Sequence, residues 1–221
     1  QQVAVPHDWA ISGPFDKKWD LQMVAIEQNG ETEKTEKSGR SGALPWIGEG
    51  MYKMNWTAPK GYKRAVLVFD GAMSQPVVTV NGKEAGKWAY GYNAFRIDIT
   101  PFIQFGKKNL IEVHLNNVEE SSRWYPGGGL YRPVSVELYG NENFSTWDTF
   151  VRTLKADKQE AEVEVNALLE GKTGKSGKTV IALLDEAGKK VAEQTVSGAT
   201  PAVKTTLKVA NPLLWSPESP Y

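Results

Sequence analysis

The chain has 221 residues, with 26 Lys plus Arg set against 26 Asp plus Glu, and no cysteine. A formal net charge of zero argues against nucleic acid or an acidic membrane surface as partner, because both need a basic excess. The missing cysteines exclude disulfides, thiolate nucleophiles and Cys-based metal sites, and His7 and His114 are too few for a histidine cage.

Hydrophobic residues make up 40% of the chain, enough to bury a real core. No apolar run approaches the roughly 18 residues of a membrane span. Missing cysteines suit cytoplasm and periplasm alike. The compartment stays open, with a lean towards the periplasm or the outside. The unusual numbers are 8 Trp and 8 Tyr. Many of them sit in Gly- and Pro-rich stretches, where aromatics either line ligand surfaces or plug the ends of a sandwich.

Taken in chain order, His7-Asp8 comes first. It could suggest a catalytic or metal pair, but no nucleophile follows in a recognisable context, so it reads as structural hydrogen bonding. The polar segment 27–42 reads as a long surface loop. Residues 65–69 read as a buried strand, and 77–80 as another, closed by the hairpin signal Asn81-Gly82. If the next stretch is extended, Trp88, Tyr90 and Tyr92 fall on one side. The patch then suits surface sugar contact, packing against another domain, or the core. Alternation predicts strands at 95–99, 110–115 and 134–138.

Between 139 and 143 the texture becomes Lys-, Glu- and Thr-rich. Strands are expected at 161–169, 179–184, 191–196 and 203–209, with a turn at Asp185-Glu186-Ala187-Gly188. Helical periodicity is missing throughout. The fold class is all-β: a jelly-roll (galactose-binding-like) β-sandwich over residues 1–140, followed by an immunoglobulin-like β-sandwich over 141–221.

Two look-alikes fail on chemistry. Residues 171–179 mimic a phosphate-binding loop, but the required glycine is Lys172 in one register and Leu169 in the other, and no helix follows. A solvated hairpin loop is the better reading. Asn141-Glu142 matches an acid/base pair of sugar-cleaving barrels, yet here it follows a sandwich strand. Glycosidic cleavage needs two facing carboxylates, and no pair can be placed from this sequence, so no catalytic residue is assigned.

Four segments carry a resemblance. They are Val5-Pro6-His7-Asp8-Trp9-Ala10-Ile11, Gly48-Glu49-Gly50-Met51-Tyr52-Lys53, Ser121-Ser122-Arg123-Trp124-Tyr125-Pro126-Gly127-Gly128-Gly129-Leu130-Tyr131-Arg132, and Asn211-Pro212-Leu213-Leu214-Trp215-Ser216-Pro217-Glu218. In this order they resemble the β-galactosidase branch of glycoside hydrolase family 2, over nearly the whole chain. Asp70-Gly71, Val80-Asn81-Gly82 and Gly91-Tyr92 with Phe95 fit the same pattern. Met51 departs from it, where tryptophan is more frequent, and so does Trp46. A carboxylate that reaches the sugar in some relatives is replaced around Ser121 to Arg123.

The resemblance implies a jelly-roll domain, an immunoglobulin-like domain and then an eight-stranded β/α barrel that carries two catalytic glutamates in a retaining mechanism. This chain is then expected to be a fragment trimmed at both ends, inactive alone, from a parent that hydrolyses β-galactosides, or else β-glucuronides or β-mannosides. Its expected partners are a carbohydrate substrate, its own C-terminal barrel, and further copies of a homo-oligomeric parent.

Arg123, Trp124 and Tyr125 are the expected substrate-binding residues. Aromatic planes accept the C–H face of a pyranose, and the guanidinium supplies fixed donors. Tyr131-Arg132 is expected to pin the loop, or an adjoining domain, through the planar guanidinium, and Trp215 with Pro212 and Pro217 to anchor the linker to the barrel. The resemblance places Mg²⁺ or Na⁺ near the barrel of some relatives. No ligand set for either is legible here, and no cofactor is expected. The rival functions are a stand-alone carbohydrate-binding module and an adhesion protein of sandwich repeats. The halves share no internal repeat, which counts against the second.

Overall fold

The computed structural model describes residues 1–16, 24–28, 31–35, 46, 48–117, 127–171, 177–198 and 201–220. They divide into two units, 1–139 and 140–221.

The first unit opens with a single helical turn, α1 (Trp9–Ser12), capped by the Asp8 side chain. Strands β1 (Val24–Gln28) and β2 (Glu31–Thr35) pair antiparallel, with Val24 opposite Thr35. The expected surface loop over 27–42 is therefore corrected in its first half. Between the strands stands Asn29-Gly30, the same dipeptide that marks the hairpin at 81–82. Residues 36–42 lie outside the described part.

Two antiparallel sheets follow. One has the order β3 (Gly48–Thr57), β8 (Lys108–Asn117), β5 (Val77–Val80), β6 (Lys83–Lys87). The other has the order β7 (Phe95–Asp98), β4 (Arg64–Phe69), β9 (Val134–Tyr139). Alternation explains the layering: in β8, Asn109, Ile111, Val113, Leu115 and Asn117 are all buried, and the residues between them are not. The central strand β4 is buried from Ala65 to Phe69, so it reads as a continuous apolar run. Phe69, Val78, Val80, Ile99 and Leu115 are fully buried in one core.

Local chemistry sets the register. Asn81 (φ 51°) and Gly82 (φ 78°) both take the left-handed conformation that a tight two-residue hairpin requires. The Asn81 side chain also accepts from Leu110 N at 3.0 Å and donates to Asn109 Oδ1 at 2.9 Å. Buried Asn109 in turn accepts from Gln104 N and donates to the carbonyls of Gln104 and Lys107. All four of its hydrogen-bonding positions are filled, as burial demands.

In the second unit, β12 (Glu160–Gly171) is central. It carries β15 (Ala202–Ala210) on one edge, and β11 (Phe150–Ala156) then β10 (Glu142–Phe144) along the other. A separate sheet pairs β13 (Lys178–Leu184) with β14 (Lys190–Ser197). Asp185 closes that hairpin by accepting from Ala187 N and Lys189 N, while Gly188 takes φ 77°. Ala161, Val165, Ala167, Val203 and Leu207 are buried. Glu164 stands on the alternate positions of β12, between Arg152 (2.9 Å) and Lys204 (3.0 Å).

The architecture is all-β: a jelly-roll sandwich followed by an immunoglobulin-like sandwich. The look-alike phosphate loop joins β12 of one sheet to β13 of the other, which corrects the hairpin-loop expectation. Its residues 172–176 lie outside the described part. Strands β10 and β11 had no sequence signal. The second is exposed along its whole length, so it shows no alternation.

Candidate functional site

Segments far apart in sequence are laced together in the first unit. His7 N donates to Leu130 O (2.8 Å) and Trp9 N to Gly128 O (3.0 Å), so the first motif pairs with the glycine run. Asp8 Oδ1 accepts from Ala10 N at 2.9 Å and from Gly128 N at 3.1 Å. One carboxylate oxygen thus caps a helical turn and fastens a loop 120 residues away. His7-Asp8 is structural in this sense.

Tyr52 joins the same knot. His7 Nδ1 and Tyr52 Oη are 2.8 Å apart, and the hydroxyl also reaches His7 O (3.2 Å) and Leu130 N (3.4 Å). Burial pushes the Tyr52 phenol above its ordinary pKa. Its ring stacks on Trp9 at 5.9 Å and 20°, and Trp9 also meets Trp46 at 5.9 Å. Trp46 therefore packs against the core of this unit. Met51, on the opposite face of β3, is exposed.

The glycines are needed for closeness. A Cβ at Gly128 would sit 2.5 Å from Trp9 Nε1, and one at Gly129 2.3 Å from Tyr52 Oη. Gly129 also pairs with Met73, its N–H donating to Met73 O at 2.7 Å.

Asn117 closes the neck of the intervening segment. Its Nδ2 donates to Gly127 O at 2.9 Å, joining the last residue of β8 to the first glycine of the run. Asn117 Oδ1 and Trp9 Nε1 are both buried without a hydrogen-bond partner among the described residues. Arg123, Trp124 and Tyr125 belong to the segment between Asn117 and Gly127, and lie outside the described part. What the structure gives is their anchorage. Sequence reasoning overlooked Asn117; its place on the inward positions of β8, as a polar residue in an apolar series, was the available signal.

Downstream of the run, Tyr131 Oη donates to Gly91 O (2.9 Å), and Arg132 donates to Asp70 O (3.2 Å) and Tyr92 O (2.8 Å). The expected pin therefore acts on the 70s and 90s loops. The loop over 88–94 bends rather than running extended, so Trp88, Tyr90 and Tyr92 do not share a face by alternation. Trp88 stacks on Phe95, and Tyr90 tilts against Tyr92.

In the second unit a cavity of about 320 Å³ is lined by Glu142, Phe144, Lys178, Thr179 and Val180 among others. Glu142 of the Asn141-Glu142 pair thus lines this cavity. Trp215 is 67% exposed and Leu213 94%. Among the described residues, no group of three or more His, Asp or Glu could hold a metal ion.

Comparison with known proteins agrees with this architecture. The sequence model of the glycosyl hydrolases family 2 matches residues 144–221. The chain is 32% identical to a β-galactosidase of Bacteroides ovatus over 98% of its own length and 25% of that protein's. It is 26% identical to a β-glucuronidase of Formosa agariphila, over 80% of this chain and 21% of the relative. A solved glycosyl hydrolase family 2 member from Bacteroides cellulosilyticus superposes with a TM-score of 0.75 at 30% identity, over 99% of this chain and 29% of that one. Two β-sandwiches in series are what this chain shares with the solved family member over 99% of its length. It belongs to glycosyl hydrolases family 2. The chain spans about a quarter of the length of the Bacteroides ovatus relative.

Proposed function

We propose that residues 1–221 are a non-catalytic part of a protein that hydrolyses β-glycosidic bonds, with β-galactosides as the leading substrates. In this reading Arg123, Trp124 and Tyr125 form one wall of the substrate pocket, and a β/α barrel beyond this chain supplies both glutamates. The observation that carries it is the closed neck at Asn117 and Gly127, held by Asp8, Trp9 and Tyr52. Residues 117 and 127, which flank that segment, are thereby held in place, and a site built on fixed flanks costs less entropy on binding.

β-Glucuronides are the second choice, because relatives of both names match the chain. A uronate carboxylate needs a cation, and Arg123 could supply it through a bidentate contact. Steady-state rates of the whole protein on aryl β-galactoside and aryl β-glucuronide separate the two. A higher kcat/KM on the galactoside is expected, and the 221-residue chain alone is expected to hydrolyse neither. Turnover by the purified 221-residue chain, lost on replacing one of its carboxylates, would overturn the non-catalytic assignment.

A further inference from the structure

Three rings stack through the first sandwich to its surface. Phe69 is fully buried; Phe95 lies on it at 4.6 Å and 5°; Trp88 lies on Phe95 at 5.5 Å and 7°. The outermost ring, Trp88, is 40% exposed. Its orientation is fixed three times over. The stack sets its plane, the indole Nε1–H donates to Asn93 Oδ1 at 2.9 Å, and its backbone N–H donates to Pro76 O at 3.0 Å.

Beside it, Tyr90 is 59% exposed and tilts against Tyr92 at 5.6 Å. The loop that carries all of them is tied from behind by Tyr131 and Arg132, through the carbonyls of Gly91 and Tyr92. A surface tryptophan that merely fills space has no need of this bracing. Bracing removes the rotamer entropy that a ligand would otherwise have to freeze.

We propose that Trp88, Tyr90 and Asn93 form a carbohydrate-binding platform for one pyranose unit of a β-linked oligosaccharide. The ring's axial C–H groups lie on the free face of the indole. The hydroxyls are met by the Tyr90 phenol and by the Asn93 amide nitrogen, whose oxygen is already engaged by the indole. A flat, uncharged sugar face suits this site better than an anion, since none of the three side chains is a cation. The choice of a sugar as occupant rests on the glycosidase reading above.

The test is a titration of the 221-residue chain with β-1,4-galactotetraose and with cellotetraose, following the indole N–H resonance of Trp88. A saturable shift at millimolar sugar is expected. Trp88→Ala should weaken binding about tenfold and Trp88→Phe less, because a smaller ring keeps part of the stack. Asn93→Ala keeps the ring stacked but removes one hydroxyl partner and one brace of the indole, and should weaken binding about threefold; its unchanged amide spectrum elsewhere guards against misfolding.

No saturable shift up to about 50 mM of either sugar overturns the platform. So does shielding of Trp88 from acrylamide in the whole protein before sugar is added, since the face would then be covered by another domain. Hydrolysis of aryl β-glycosides by the unmodified whole protein is measured alongside. Activity without a Trp88 response sinks the platform and leaves the glycosidase reading intact. A Trp88 response without activity sinks the glycosidase reading and supports the platform.

Discussion

At the scale of single residues, close contact explains why glycine stands where it does. Gly128→Ala would drive a methyl against the buried Trp9 indole, 2.5 Å from Nε1. The expected loss is about 1–3 kcal/mol, read as a lower Tm. Gly140→Ala is the control, because a Cβ there meets nothing within 4 Å. It should leave Tm unchanged. In the proposed pocket wall, Arg123→Ala should lower kcat/KM of the whole protein about 10–100-fold, the loss of a charged hydrogen bond. A change in thermal stability without a change in kcat/KM would remove Arg123 from the wall.

His7, Asp8 and the glycine run were legible as motifs in the sequence. Their mutual bonds were not, because Asp8 and Gly128 meet only after some 120 residues have folded between them. Asn117 was hidden for a related reason. Its side chain bonds Gly127 O, ten residues on, and a polar residue in an apolar series signals burial without naming its partner.

At the scale of elements, β12 holds the second unit through paired charges on one face and apolar residues on the other. Lys204 beside Glu164, with Asn166 and Arg152, holds its carboxyl below the ordinary glutamate range. In the first unit, Arg96 on β7 bonds Glu137 on β9, with Tyr139 also donating, and depresses Glu137 likewise. A depressed carboxyl contributes stability above its unfolded pKa and loses it as pH falls through the folded value. Stability should therefore decline on acidification below the ordinary glutamate range. Denaturant melts at pH 7 and pH 3 are expected to show a smaller decline in Glu164→Gln than in the unmodified chain. An equal decline in both would remove Glu164 from the account.

Elements with apolar or alternating runs were readable: β5, β8, β13 and β15 fall close to where the sequence puts them. Strands without such a run were not. β11 is exposed throughout, so no burial pattern marks it, and β2 is built of charged residues and threonine.

At the scale of the whole molecule, each unit has its own buried residues. Phe69→Ala should cost about 3–5 kcal/mol and Leu207→Ala about 2–5 kcal/mol. Hydrogen exchange is the suitable readout, with protection lost mainly within 1–139 for the first and within 140–221 for the second. Loss spread evenly across both would show the two units to unfold as one.

The sequence by itself determined the all-β class, the order of the two sandwiches, the main inward-facing strands and the family resemblance. These depend on local periodicity and on contiguous motifs, which survive in one dimension. Only the tertiary structure decided that three scattered segments of the first unit form one knot, that Asn117 bonds Gly127, and that Trp88 ends a three-ring stack at the surface. Those are contacts between distant residues, and hydrogen-bond and ring geometry have no one-dimensional signature.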